Sequence, residues 1–279
     1  MTKKIVAIGG GENGRINSDG IRLPYETKPM DEEIIKLTNK KHPNFLLIAH
    51  SQKLENQEYY FEVMKNIYGK KYGCPCKDLK SDKLTDKEYV KELIEWADII
   101  YEGGGNTLDM IKLWKETGFD KILKKAWEDG KVMCGVSAGA ICWFKECSSD
   151  SLKIKYGNDQ PLIKLDCLGF VDGLLVPHSD EPGRKENAKE LMKETNEVGI
   201  LLSNCIALEI IDDKYRLITS DASYHNIEPF GLKIYWKDGK SFEEKIDSSI
   251  EFKLFKELLK RRNKDEWKIY QRNGWWLRW

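Results

Sequence analysis

The chain is poor in net charge, in long apolar runs, in paired cysteines and in histidine, and each shortage removes a class of function. Lys plus Arg and Asp plus Glu stand at 46 each, so no field draws the chain toward nucleic acid or an anionic membrane. The longest apolar run, around residues 131–144, is too short to span a bilayer. The N-terminal run Ile5–Ile8 is too short for a signal peptide. Seven cysteines make an odd count with no C-x-x-C pair, and the spacing of Cys74 and Cys76 suits neither zinc nor a dithiol redox motif. A reducing, cytoplasmic setting is the expectation. No His/Asp/Glu cluster has ligand spacing along the chain, so neither a metal nor a cofactor is expected.

What is present is an alternation of short apolar strands with amphipathic helices. Strand patterns at Ile5–Ile8, Asn44–His50, Asp98–Glu102, Lys131–Val136, Gly173–His178 and Gly199–Leu202 are separated by helical patterns. That order predicts an α/β fold with a mostly parallel sheet and helices on both faces. After Leu202 the pattern turns to hairpins, at Asp212–Lys214 and Asp238–Gly239, and then to a helix over Glu251–Arg262. No linker or low-complexity tract divides the chain. It reads as one domain, 1–279, in which 242–279 is a C-terminal extension with an aromatic tail, Asn273–Trp279.

The stretch Gly135-Val-Ser-Ala-Gly139 joins an apolar strand to an apolar helix. This is the form of a nucleophile elbow, a sharp strand-to-helix turn that lifts a serine hydroxyl into a site. Ser137 is therefore the candidate nucleophile, and the Ala138 amide is a candidate oxyanion donor. A second donor must come from a neighbouring strand end, and the loop Gly103-Gly-Gly-Asn-Thr107 can supply it, because glycines let backbone N–H groups approach a substrate closely. Asn106 in that loop is a candidate substrate contact.

Of the four histidines, His42 and His225 sit in polar turns, whereas His50 and His178 end strands. His178, downstream of the elbow and stiffened by Pro177, is the better candidate for the base. Another glycine string, Gly9-Gly-Gly-Glu-Asn-Gly14, matches a dinucleotide fingerprint in letters alone. The polar loop that follows it is not the helix such a site needs, so it reads as a flexible loop on the rim of a site.

Gly103-Gly-Gly-Asn-Thr107, Gly135-Val-Ser-Ala-Gly-Ala140 and Pro177-His178, in that order, resemble the peptidase E (aspartyl dipeptidase) and cyanophycinase family, from about Lys4 to about Ser241. The resemblance implies a flavodoxin-like fold of the class I glutamine amidotransferase type and a serine nucleophile. It assigns Ser137 as nucleophile, His178 as base, and the amides of Gly105 and Ala138 as the oxyanion site. Arg184 resembles a family arginine that would bind a substrate carboxylate, with a solvated first-turn arginine as the plain alternative. The sequence departs from the family in a short His178–Arg184 loop and in having Ser203 and Asn204 where a glutamate is expected. Phe242–Trp279 has no counterpart.

Two candidates remain for the third member of a triad: Asp150, favoured because a carboxylate stabilises an imidazolium best, and Ser203 or Asn204. The expected function is a serine hydrolase that cleaves dipeptides or small peptides with an acidic first residue. An α/β-hydrolase esterase and an amidotransferase-like binding module are the rivals. The expected partner is a small peptide, with no nucleic acid and no membrane, and the oligomeric state is left open.

Overall fold

In the computed structural model, residues 1–193 and 195–262 are described, and the aromatic tail lies outside them. The chain runs β1 (Lys4–Ile8), α1 (Lys28–Lys36), β2 (Phe45–Leu47), α2 (Leu54–Lys65), β3 (Cys76–Asp78), α3 (Lys87–Trp96), β4 (Ile99–Glu102), α4 (Thr107–Thr117) and α5 (Phe119–Glu128). It continues through β5 (Val132–Val136), α6 (Ala138–Ile141), β6 (Phe144–Ser149), α7 (Ser151–Tyr156), β7 (Ile163–Asp166), β8 (Val171–Val176) and α8 (Arg184–Met192). The remainder is β9 (Gly199–Leu202), β10 (Ile206–Ile211), β11 (Lys214–Thr219), β12 (Gly231–Lys237), β13 (Lys240–Lys245), β14 (Lys253–Leu254) and α9 (Phe255–Leu258).

The fold is mixed α/β, but the strands form two sheets rather than one. The first has the order β14-β11-β10-β1-β5-β4-β2-β3, parallel from β1 to β3 and antiparallel beyond β1 on the other side. The second has the order β13-β12-β9-β8-β6-β7, with only β6, β8 and β9 parallel. Both expected hairpins are present, as β10–β11 and β12–β13. The helix expected over Glu251–Arg262 shortens to α9, because residues 253–254 instead pair with β11. The polar stretch 146–161 contains most of β6 and all of α7, with Asp150 between them.

Strand alternation divides the core. Ile5 and Ala7 face one cluster while Val6 and Ile8 face another; Leu46 and Met133 join the first, Phe45, Leu47 and Cys134 the second. The period-2 pattern thus buries both faces of the first sheet. On one face lie α1 and α2, through Met30, Ile34, Phe61 and Met64. On the other lie α3, α4 and α5 together with the inner face of the second sheet, where Phe144, Cys147, Leu175, Ile200 and Leu202 belong to the same cluster as Ile5. The outer face of the second sheet is covered by α8, where Ala188 and Met192 meet Leu174, Val176 and Leu201. The site forms where the carboxyl ends of β1, β2, β4 and β5 meet those of β8 and β9. Among the described residues no helix is long and apolar enough to cross a membrane.

Candidate active site

Ser137 follows β5 at φ 56°, ψ −112°, a conformation an L-residue holds only where its surroundings enforce it. The enforcement is local. Its amide donates to Ile8 O at 3.0 Å, and its carbonyl accepts from Ala140 and Ile141 at 2.9 and 3.0 Å. The end of β4 presses on the turn from below. A methyl group on Gly135 or Gly139 would come within 2.3 or 2.0 Å of Glu102 O, so only glycine fits at either side of the serine. Ala138 opens α6, and its amide belongs to the first turn, which no intrahelical carbonyl reaches.

The loop after β4 lies alongside. A methyl on Gly104 would be 3.4 Å from Ser137 Cβ and 3.9 Å from its Oγ, and the Gly104 amide donates to the Tyr60 hydroxyl at 3.3 Å. The Gly105 amide makes no hydrogen bond among the described residues. Gly105 has φ 151°, and a methyl there would meet Ser51 O at 2.4 Å. Asn106, the expected substrate contact, does other work: it caps α4, with Oδ1 accepting from Asp109 N at 3.0 Å, while Nδ2 donates to Ser151 O at 3.3 Å. It is buried and is not part of the cavity wall.

Beneath these loops Glu102 is wholly buried and accepts from the amides of His50 (3.2 Å), Ser51 (3.1 Å) and Gly103 (3.1 Å). Burial pushes its carboxyl up to about 8 despite those donors.

His178 ends β8, in the second sheet and not in the sheet of the elbow. It too has a positive φ, 49°, with its amide on Gly9 O at 3.1 Å. Its Nδ1 lies 2.9 Å from Asn204 Oδ1. The direction of that bond follows from the far end of the amide. Asn204 Nδ2 donates to Asp180 Oδ2 at 2.8 Å and its backbone N to Asp180 Oδ1 at 2.7 Å. A carboxylate facing Nδ2 fixes the amide orientation, so Oδ1 faces the ring and Nδ1 must carry the proton. Nε2 is left with its lone pair.

Asp150 was expected to orient the ring. It does not, because its Oδ2 pairs with Arg184 Nη2 at 2.8 Å. Arg184 also bonds Glu181 Oε2 through Nε and Nη2, at 3.1 and 3.0 Å, and is almost wholly buried. With two carboxylates on its guanidinium and no place in the cavity wall, Arg184 is engaged and unavailable as a substrate anchor. Ser203 is also elsewhere: its hydroxyl donates to Asn204 O and accepts from Phe230 N.

The first glycine string continues onto the rim of the cavity, which Gly11, Glu12 and Asn13 line. Gly9 N donates to Ile206 O, and Gly10 O accepts from Cys205 N. A methyl on Gly10 would fall 2.0 Å from Asn204 Oδ1 and 2.5 Å from His178 Nδ1, so the string is glycine because the histidine–asparagine pair lies against it. Sequence reasoning missed Asp180, although a carboxylate two residues past a strand-end histidine was a usable signal. It also missed Glu102, because a glutamate ending a strand ordinarily faces solvent.

Ser137, His178, Asn204 and Asp180 open onto one cavity of about 800 Å³, a size that suits a small ligand. Tyr59, Tyr60, Val63, Val136 and Ile227 form its apolar wall. Its charged lining is three carboxylates, Glu12, Asp180 and Glu181, against one guanidinium, Arg15, which is tied to Glu12 at 3.0 Å. No hydrogen bond joins Ser137 to His178 in the described structure, as is common in sites without substrate.

The profile of Peptidase family S51 matches residues 17–218. An uncharacterized peptidase of Bacillus subtilis is 33% identical over 180 residues, covering 64% of this chain and 69% of that protein. Another, from Listeria innocua, is 28% identical over 147 residues, covering 50% of this chain and 66% of its own length. Among solved structures, a peptidase from an acI-B1 actinobacterium superposes with a TM-score of 0.64 at 21% identity, covering 91% of this chain and 98% of that one. A putative peptidase E protein from Listeria monocytogenes gives 0.55 at 19% identity, over 79% of this chain and 100% of that one. At these identities the two structures speak for the fold.

Proposed function

Since the chain belongs to peptidase family S51, we propose that it is a serine peptidase of short peptides, with Ser137 as nucleophile and His178 as base, oriented by Asn204. The observation that carries the reading is the shared cavity: a strained serine and a histidine with a bare Nε2 open onto the same space.

In the reaction, Ser137 Oγ attacks the peptide carbonyl carbon while His178 Nε2 takes the hydroxyl proton. The carbonyl oxygen gathers negative charge, which the amides of Gly105 and Ala138 receive. Nε2 then gives its proton to the departing amine, and the acyl-enzyme is hydrolysed by water through the same base. Asn204 holds the tautomer throughout. Being neutral, it stabilises the imidazolium through its amide dipole, with Asp180 behind it.

An acidic first residue was expected on the strength of Arg184, which is engaged. Glu12 is paired with Arg15 and Glu181 with Arg184, so Asp180, which has no cation on it among the described residues, supports a different selection: the free ammonium of the substrate's N-terminus. Two measurements test this. A fluorophosphonate probe should label the wild-type protein and not Ser137→Ala; labelling of both would remove the serine mechanism. A panel of Asp-X, Ala-X and Lys-X dipeptides with their N-acetylated forms should show acetylation, rather than the first side chain, as the larger loss in kcat/KM.

A further inference from the structure

Glu26, Cys205 and His225 are far apart in the chain, with 199 residues separating Glu26 from His225, so no linear spacing could reveal them together. Glu26 precedes α1, Cys205 lies in the turn from β9 to β10, and His225 follows β11. In the fold one ligand atom from each lies within 4.8 Å of the others. Glu26 and Cys205 are buried, while the His225 side chain is 25% exposed and lines the cavity.

We propose that these three residues bind a divalent zinc ion in the wall of the active-site cavity. A thiolate and an imidazole are soft and borderline donors, and with a carboxylate they make the three-ligand set that zinc accepts while keeping a fourth position for water or another ligand. One Glu26 oxygen, Oε2, already accepts from Glu12 N at 2.8 Å and lies 3.0 Å from His225 Nε2. The other, Oε1, is buried with no partner, an arrangement that leaves a full acceptor unused. An ion would engage it.

Charge also balances. Zinc with one thiolate and one carboxylate is a neutral assembly, which a buried position tolerates far better than the bare carboxylate. The exchange is defined atom by atom: zinc takes Cys205 Sγ, His225 Nε2 and a Glu26 oxygen. The thiol proton goes to the buffer, the Nε2 proton that bonded Glu26 is taken up at Nδ1 as the ring changes tautomer, and the His225–Glu26 hydrogen bond is given up. Binding displaces the thiol proton, so its release can be counted.

The test uses the full chain, chelator-treated and kept reduced with a phosphine, titrated with zinc chloride by calorimetry in two buffers of different ionisation enthalpy. One ion per chain and one proton released are expected. His225→Ala, a change at a partly exposed side chain, should weaken binding by at least the ~100-fold that loss of a mere outer-shell partner can cost. Cobalt in place of zinc should give a thiolate-to-metal charge-transfer band in the near ultraviolet, which Cys205→Ser abolishes. The proposal is overturned by absence of stoichiometric binding, by an affinity that His225→Ala leaves unchanged, or by a band that survives Cys205→Ser and so belongs to another cysteine. Because none of these readouts is peptide hydrolysis, their failure is separable from failure of the peptidase reading.

Discussion

Two histidines end strands at the same edge of the molecule, and the fold treats them in opposite ways. His50, past β2, has both ring nitrogens occupied: Nε2 donates to Leu79 O at 2.7 Å, and Nδ1 accepts from Trp114 Nε1 at 2.8 Å. Burial lowers it to about 4, so it is a neutral core residue packed edge-on against Trp114 and tilted against Phe119. His178, past β8, has only Nδ1 engaged, carries the opposite tautomer and presents Nε2 to the cavity. Position at a strand end did not decide which histidine can act as a base. The number of nitrogens left free did.

The largest effects should come from exchanging their fates. His178→Ala should cost on the order of 10⁶ in kcat, the scale of losing a triad member, with little change in melting temperature. His50→Ala should do the reverse: the surviving folded fraction keeps its turnover per active site, while stability falls by about 3–5 kcal/mol. The change leaves the Trp114 N–H and Leu79 C=O unpaired beside a new cavity. Active-site titration with the probe alongside denaturant unfolding separates the two, and a stable but inactive His50→Ala protein would break the contrast.

Next in size is the partner of His178. Asn204→Ala frees the ring and should cut turnover by about 10²–10⁴, the upper figure being what a wrong tautomer costs in a serine triad. Asp150→Asn should change turnover only a few-fold, because that carboxylate pairs with Arg184 and not with the ring. A loss from Asp150→Asn equal to that from Asn204→Ala would restore the aspartate as the orienting group.

The smallest effects are in pH dependence, where two buried groups act with opposite sign. Glu102 rises from 4.5 in the unfolded chain to about 8 when folded. Folding therefore takes up a proton there, and this contribution is full below pH 4.5 and lost as pH rises to 8. His50 falls from 6.5 to about 4, so its contribution is full above pH 6.5 and lost as pH falls to 4. Glu102→Gln should remove the first slope and leave the second. The melting temperature of the variant should then gain on the wild type between pH 5 and pH 8, and parallel curves would contradict the assignment.

The elbow and the glycine loop after β4 were legible because each is local: an apolar strand, glycines at the positions where neighbours touch the backbone, then a helix start. The second sheet was legible only in part: β8, β9 and the β12–β13 hairpin were read, but β6 and β7 were not. Its strand β6 carries Ser148 and Ser149, which look like loop residues but are buried and satisfied by Asn187 and Ser151. Those partners are supplied by the folded chain. The same holds for Asp150, whose charge is claimed by Arg184 across the fold.

Glu102 has a consequence for how the protein opens. A single carboxyl collects amides from the turn after β2 and the turn after β4, and the backbone of the same residue is the surface against which the elbow glycines are pressed. None of the three turns can therefore open alone. In native-state hydrogen exchange the amides of His50, Ser51 and Gly103 should exchange in one correlated step, with protection that approaches that of the central strands. The turns that line the cavity would then be lost as a unit.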